Sequence, residues 1–267
     1  MKTMHVLRVI GLMTLAIVFA SPALAGEALP KTAEKFEVSG HTAFLYAAPK
    51  PAEGKPWVWF APTLKGVSLA LRRVYFEGFL NAGISIAGYD IGEVRGSPAS
   101  SAQFSLFHDE MVKRGWSSKP ILMGQSRGGL MMLGWGMRHP DQVQAFVGIY
   151  PVCNLSTWGM KGLAATLADY QLTEAELRSR MVEFNPLDNL KGLAEKKVPM
   201  FVVQGDADKA VPYEENAALL RQRYETAGGP ITLKLVPGEG HAASPAFFED
   251  KELFAFVLKQ AGVTGVR

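Results

Sequence analysis

From residue 57 to residue 260, short apolar runs alternate with longer stretches that carry helix signals, and that rhythm leaves few folds open. The runs at 57–60, 84–87, 121–124, 145–150, 200–204 and 231–236 hold the aromatic and β-branched side chains that suit buried strands. Helices are predicted at 68–81, 101–113, 127–138, 214–227 and 247–260. Parallel neighbours need a crossover, which a helix supplies, so the alternation predicts an α/β chain: a mostly parallel central sheet with helices on both faces. Two earlier runs at 35–38 and 42–46, turned at Ser39-Gly40, add a hairpin at a sheet edge. At 267 residues the chain is long enough to bury a full core as one domain.

The N-terminus stands apart from this rhythm. Lys2 and Arg8 accompany an apolar stretch from Val9 to Ala20, and Ser21-Pro22-Ala23-Leu24-Ala25 supplies a small-residue cleavage pattern. Residues 1–25 are therefore expected to be a secretory signal peptide, leaving 26–267 as a periplasmic or secreted domain. The uncharged stretch is short for about 30 Å of hydrocarbon and ends in Pro22, so no stable membrane anchor is expected after cleavage. Without Lys2 and Arg8, 26 basic residues face 25 acidic ones. No basic block occurs, and no nucleic-acid partner is expected. Cys153 is the sole cysteine and can close no intrachain disulfide, so the core must hold the fold.

Between Pro151 and Val198 the alternation stops. Trp158-Gly159-Met160-Lys161-Gly162 reads as loop, Thr173 with Glu176 makes a capping box for a helix to about 183, and Asn185-Pro186 leads back to the core. A small lid insertion is expected at 151–198.

The stretch around Ser126 carries the chemistry. An apolar run ends at Gly124, Ser126 sits between glycines, and a second apolar run begins at once, which makes strand, sharp turn and helix. Gly124-x-Ser126-x-Gly128 is the nucleophile-elbow pattern, whose small residues let the chain turn tightly enough to present a serine oxygen. A serine hydroxyl attacks poorly until a histidine takes its proton, and that histidine works best when a carboxylate fixes its tautomer. In open parallel sheets such groups gather at the carboxyl ends of strands. Gly205-Asp206-Ala207-Asp208 follows the run at 200–204, and Gly238-Glu239-Gly240-His241 follows the run at 231–236. The order serine, acid, histidine fits, with Ser126 as nucleophile, His241 as base and one of the two aspartates as acid. The other aspartate is expected to cap its own turn.

The remaining histidines fall outside this pattern. His5 belongs to the leader, His41 to the hairpin, His108 to a helix, and His139 to a helix C-terminus. No histidine pair has metal-ligand spacing and no phosphate-binding loop occurs, so the expectation is chemistry without a cofactor or metal. The oxyanion needs two backbone N–H donors. Arg127 is expected to supply one, and Thr63 or Leu64, in the turn after 57–60, the other.

The alternation, Gly124-Gln125-Ser126-Arg127-Gly128-Gly129, the turn from Gly205 to Pro212 and Gly238 to His241 resemble α/β-hydrolases of the broad group containing prolyl-oligopeptidase-like and acetyl-esterase-like enzymes. Trp57 to Leu64, Gly92 to Pro98 and Pro151-Val152-Cys153-Asn154 also resemble an exported bacterial subgroup. The similarity covers residues 55–260. It implies the α/β-hydrolase fold and serine-hydrolase activity, and its Gly-x-x-Asp-x-x-Val-Pro turn places the acid at the fourth position, Asp208 rather than Asp206. Ala61-Pro62 stands where that group usually has His-Gly.

The expected activity is cleavage of a small-molecule or carbohydrate ester through an acyl-enzyme, with Tyr150 and Trp158 either lining the acyl or alcohol pocket or serving as plain packing. A prolyl-oligopeptidase-like peptidase, a thioesterase and a lactone hydrolase would share the same residues. A chain of this length is expected to lack the propeller that screens substrates in prolyl oligopeptidases. The non-enzymatic alternative is a retired hydrolase scaffold that binds a ligand without turning it over.

Overall fold

The computed structural model describes residues 33–63 and 73–263. The expected signal peptide at 1–25, Leu64 and the start of the helix expected from 68 lie outside them. The strands are β1 (Glu34–Val38), β2 (His41–Tyr46), β3 (Trp57–Ala61), β4 (Ser85–Asp90), β5 (Ile121–Gln125), β6 (Ala145–Ile149), β7 (Met200–Gly205) and β8 (Ile231–Val236). They form one eight-stranded sheet in the order β1-β2-β4-β3-β5-β6-β7-β8. The hairpin β1–β2 joins antiparallel at the β4 edge, and from β4 to β8 every pairing is parallel.

The side-chain period of two explains how the sheet holds two cores. Trp57, Trp59, Leu122, Phe146, Met200 and Val202 point to one face, whereas Val58, Phe60, Ile121, Met123, Val147, Ile149, Phe201 and Val203 point to the other. Both faces are buried along β3, β5, β6 and β7, which is why these runs read as continuously apolar. The helices are α1 (Arg73–Asn81), α2 (Pro98–Lys113), α3 (Gly128–Gly136), α4 (Leu155–Lys161), α5 (Leu163–Tyr170), α6 (Glu174–Ser179), α7 (Met181–Phe184), α8 (Lys191–Glu195), α9 (Ala217–Thr226), α10 (Pro245–Phe248) and α11 (Lys251–Gln260). Residues of α2, α3 and α9 cover the tryptophan face, where Trp59 meets Phe107 and Trp135 at centroid distances of 5.0 and 4.9 Å. Residues of α1, α10 and α11 cover the opposite face.

Several boundaries differ from the sequence expectation for local reasons. Helix α2 starts at Pro98, because the Ser97 hydroxyl accepts the Ser100 N–H and proline suits the first turn. Residues 158–162, expected as loop, belong mostly to α4, which Asn154 caps by accepting the Ser156 N–H at 3.1 Å. The helix expected to reach 183 ends at Ser179, and α7 follows after Arg180 departs from helical geometry. The segment expected as one helix at 247–260 is two, since Asp250 starts α11 by accepting the Leu253 N–H at 2.8 Å. Residues 214–216 lie before α9, and the strand expected to reach 150 stops at Ile149.

The segment between β6 and β7 carries α4 to α8 and has its own apolar cluster of Leu155, Tyr170, Leu177 and Phe184 against Leu130, Val152 and Val211. No helix among the described residues is long and apolar enough to cross a membrane.

The strand order fixes where chemistry can sit. The chain leaves β3 for β4 on one side and then crosses back to β5 on the other, so β3 and β5 flank a topological switch point. Loops at the carboxyl ends of two such strands diverge and leave a crevice between them. The turn at Ala61-Pro62-Thr63 and the turn at Ser126 border that crevice.

Candidate active site

The turn between β5 and α3 holds Ser126 at φ +50°, a conformation that costs a non-glycine residue about 1–3 kcal/mol. Its surroundings impose the angle. The Ser126 N–H donates to the Ile149 carbonyl at 3.0 Å, and the Ser126 carbonyl accepts from Gly129 at 2.9 Å and Val152 at 2.8 Å. The flanking glycines are needed for room. A β-carbon at Gly128 would lie 2.2 Å from the Ala61 carbonyl oxygen, and one at Gly124 would lie 2.8 Å from the Gly128 carbonyl oxygen. The same close approach sets the elbow against the turn after β3.

The loops after β7 and β8 deliver the other two groups. Ser126 Oγ lies 2.9 Å from His241 Nε2, and His241 Nδ1 lies 2.7 Å from Asp208 Oδ2. Asp208 is buried, and its Oδ1 accepts the N–H groups of Ala210 and Val211 at 2.9 and 2.8 Å. Gln204 Nε2, at the end of β7, donates to Oδ2 at 3.2 Å. Those donors keep the carboxylate oriented, with Oδ2 left facing the imidazole. Asp206 points elsewhere. It was expected to cap its own turn, but its Oδ1 accepts the Gly238 N–H at 2.6 Å, and Ala207 N–H donates to the Glu239 carbonyl at 3.0 Å. Asp206 therefore ties the loop that carries His241 to the loop that carries Asp208.

The two aromatic residues expected in a pocket or in packing part company. Tyr150 is buried; its ring packs 4.4 Å from the His241 ring, and its hydroxyl accepts from Gln125 Nε2 at 2.8 Å. Trp158 is half-buried on α4 against the cluster of the insertion. Of the oxyanion candidates, Arg127 stands at the start of α3, where a backbone N–H has no intrahelical acceptor. The Thr63 hydroxyl donates to the Phe60 carbonyl at 3.1 Å, which places Thr63 at the carboxyl end of β3, and Leu64 lies outside the described residues.

The Arg127 side chain donates to Glu93 at 2.5 Å. Glu93 also faces Arg95, and Arg95 pairs with Asp169 on α5, so a run of alternating charge joins the elbow, the loop after β4 and the insertion. Burial raises the Asp169 carboxyl above its ordinary pKa, with the hydrogen bond from Arg95 pulling the other way.

With this geometry in place, comparison with known proteins identifies the family. Residues 98–264 match the model of the prolyl oligopeptidase family. The chain belongs to that family. As a member it is an α/β-hydrolase of serine-hydrolase type. No curated protein sequence matches the chain. Among solved structures, it resembles a puromycin-hydrolysing peptidase of Mycobacterium tuberculosis at 20% identity and TM-score 0.67, over 88% of this chain and 40% of that one. Oligopeptidase B from Leishmania major aligns at 16% identity and TM-score 0.65, over 88% and 37% of the two chains. Est1E from Butyrivibrio proteoclasticus aligns at 17% identity and TM-score 0.60, over 86% and 99%. The chain thus spans about 40% of the length of the puromycin-hydrolysing relative, and at these identities the likeness is one of fold.

Among the described residues, no group of three or more His, Cys, Asp or Glu side chains stands close enough to hold a metal. The residues that sequence reasoning missed in this prolyl oligopeptidase family member are Gln125, Gln204 and Glu93. Gln125 and Gln204 carried a signal, since each is an amide at the end of an otherwise apolar buried run, where a polar group needs a partner. Glu93 carried none.

Proposed function

We propose that the protein is an exported carboxylic-ester hydrolase that acts through an acyl-enzyme on a short-acyl or carbohydrate ester. The observation that carries this reading is the unbroken hydrogen-bond chain from Ser126 Oγ through His241 to Asp208. Ser126 Oγ adds to the ester carbonyl carbon as His241 Nε2 takes its proton, and the carbonyl electron pair moves onto oxygen. That oxyanion meets the Arg127 N–H and an N–H of the turn after β3, where Thr63 lies. Collapse of the adduct expels the alcohol, which receives the proton from Nε2. Water then adds to the acyl carbon with His241 again as base, and the second collapse frees the acid and restores Ser126. Throughout, the Asp208 carboxylate holds the Nδ1 proton and offsets the positive charge on the ring. Export rests on the leader pattern at 1–25.

Peptide cleavage is the second reading, favoured by the family match at 98–264. An alcoholate leaves a tetrahedral adduct readily, whereas an amide nitrogen must first be protonated. The discriminating measurement is therefore kcat/KM on short-chain aryl esters, acetylated oligosaccharides, acyl thioesters, lactones and peptide amides side by side. The ester reading expects an oxygen ester to exceed the best peptide amide by about a hundredfold. A peptide amide that ranks first overturns it.

The role given to Arg127 resides in its backbone, so Arg127→Ala is expected to keep kcat on aryl esters within about tenfold of wild type, as measured by steady-state kinetics. Its side chain is 44% exposed and its pair with Glu93 contributes under about 1 kcal/mol to stability. A loss of several orders of magnitude would mean that the guanidinium itself acts on the substrate.

A further inference from the structure

We propose that Tyr150 is a positioning residue for His241, holding the plane of the imidazole so that Nε2 faces Ser126 while Nδ1 stays on Asp208. The inference rests on the acyl-transfer reading above and deepens it.

The need for such a residue follows from the geometry. Two in-plane hydrogen bonds, from Nε2 to Ser126 and from Nδ1 to Asp208, fix the line through the ring but leave it free to tilt about that line. A third contact on the ring, off the line of those two bonds, removes the tilt. His241 lies in a loop that begins Gly238-Glu239-Gly240, and 27% of its side chain is exposed, so the solvent side cannot provide that contact. On the protein side, the Tyr150 ring lies against the imidazole at a centroid distance of 4.4 Å and an interplanar angle of 53°.

Tyr150 is itself held from several directions. Its hydroxyl accepts from Gln125 at 2.8 Å, its N–H donates to the Val203 carbonyl at 2.8 Å, and Phe247 packs edge-on against its ring at 5.0 Å. Its backbone is in a region that non-glycine residues avoid, with φ +35°. A tyrosine kept in that conformation at the end of β6, beside a serine kept at φ +50° at the end of β5, points to a site that over-determines both. The two strand ends are also coupled. Ser126 N–H donates to the carbonyl of Ile149, which precedes Tyr150, and Gln125, which precedes Ser126, donates to the Tyr150 hydroxyl. Nucleophile and ring support are therefore tied by two hydrogen bonds between adjacent strand ends.

The test compares Tyr150→Leu and Tyr150→Phe with wild type for kcat and KM on a short-chain aryl ester, for the rate of labelling by a fluorophosphonate, and for the crystallographic orientation of His241. Tyr150→Leu is expected to lower kcat about 100-fold with KM changed less than about threefold, and to slow labelling in parallel, because small misplacements of a catalytic group cost about that much. Tyr150→Phe keeps the ring and is expected to retain kcat within about fivefold. Tyr150→Met, closer in volume, replaces the leucine variant if that one fails to fold. A wild-type rate in the leucine variant, a loss that falls on KM instead of kcat, or an equal loss in the phenylalanine variant overturns the proposal. Inert, unlabelled wild-type protein would instead sink the acyl-transfer reading. The crystal structure still decides the support itself: His241 turned off Ser126 or split between rotamers in Tyr150→Leu upholds it, and an unchanged single rotamer overturns it.

Discussion

Replacing Ser126 with alanine is expected to lower kcat on a short-chain aryl ester by about 10⁶-fold, since the hydroxyl it removes is the one hydrogen-bonded to His241 Nε2. What remains is the stabilisation that backbone donors and substrate binding provide without a nucleophile. Fluorophosphonate labelling, which reports a serine activated by its base, should vanish in the same variant. The fold should survive. Alanine meets the same difficulty as serine at φ +50°, and the lost contact is one hydrogen bond at a solvent-accessible edge, so Tm is expected to move by only a few degrees. Turnover equal to wild type in Ser126→Ala would remove the serine from the mechanism. Wild-type protein that neither takes the label nor turns over any ester would favour a scaffold that binds without chemistry.

How far the sequence reaches depends on whether a feature is local. The covered parallel sheet was legible because β3, β5, β6 and β7 are buried on both faces and so admit almost no polar residue until their last position. Helix α4 was not, because Gly159 and Gly162 read as loop residues. In the fold, a β-carbon at Gly159 would lie 3.0 Å from the Leu155 side chain, so that glycine serves packing rather than a turn. Ser126 and His241 were legible from the glycines around them, which mark where a strand stops and a side chain can be presented. Choosing between Asp206 and Asp208 took a resemblance, because two aspartates in one turn carry the same local signal and differ only in which way each carboxylate faces. The contact that Tyr150 makes was not legible for a similar reason. An aromatic after a strand has the same propensity whether it faces a ligand or a neighbouring ring, and its partner His241 is far along the chain. The direction of the Arg127 side chain depended on Glu93, 34 residues earlier, and nothing in either residue type announced the pair.

The two aspartates also give the sharpest test of the assignment, because asparagine at each position has a different set of partners to satisfy. At position 208, the oxygen on the Oδ1 side accepts two backbone N–H groups, from Ala210 and Val211. An asparagine there must keep its carbonyl oxygen on those donors, which turns its NH₂ toward His241 and Gln204, where the native carboxylate oxygen accepts from both. The amide can then only donate to Nδ1, so the imidazole carries its proton on Nε2 and cannot take one from Ser126. Asp208→Asn is therefore expected to lower kcat by about 10⁴-fold while the backbone fold is kept. At position 206 the demand is a single acceptor for the Gly238 N–H, which the asparagine carbonyl meets as well as the carboxylate did. Asp206→Asn should cost less than about tenfold in kcat, the scale of one weakened hydrogen bond. If steady-state kinetics reverse this order, Asp206 is the acid and the inward-facing carboxylate of Asp208 is structural. If both variants lose about 10⁴-fold, the tie between the two loops is as necessary to the imidazole as the carboxylate it touches, and the orientation of His241 depends on Asp206 through Gly238.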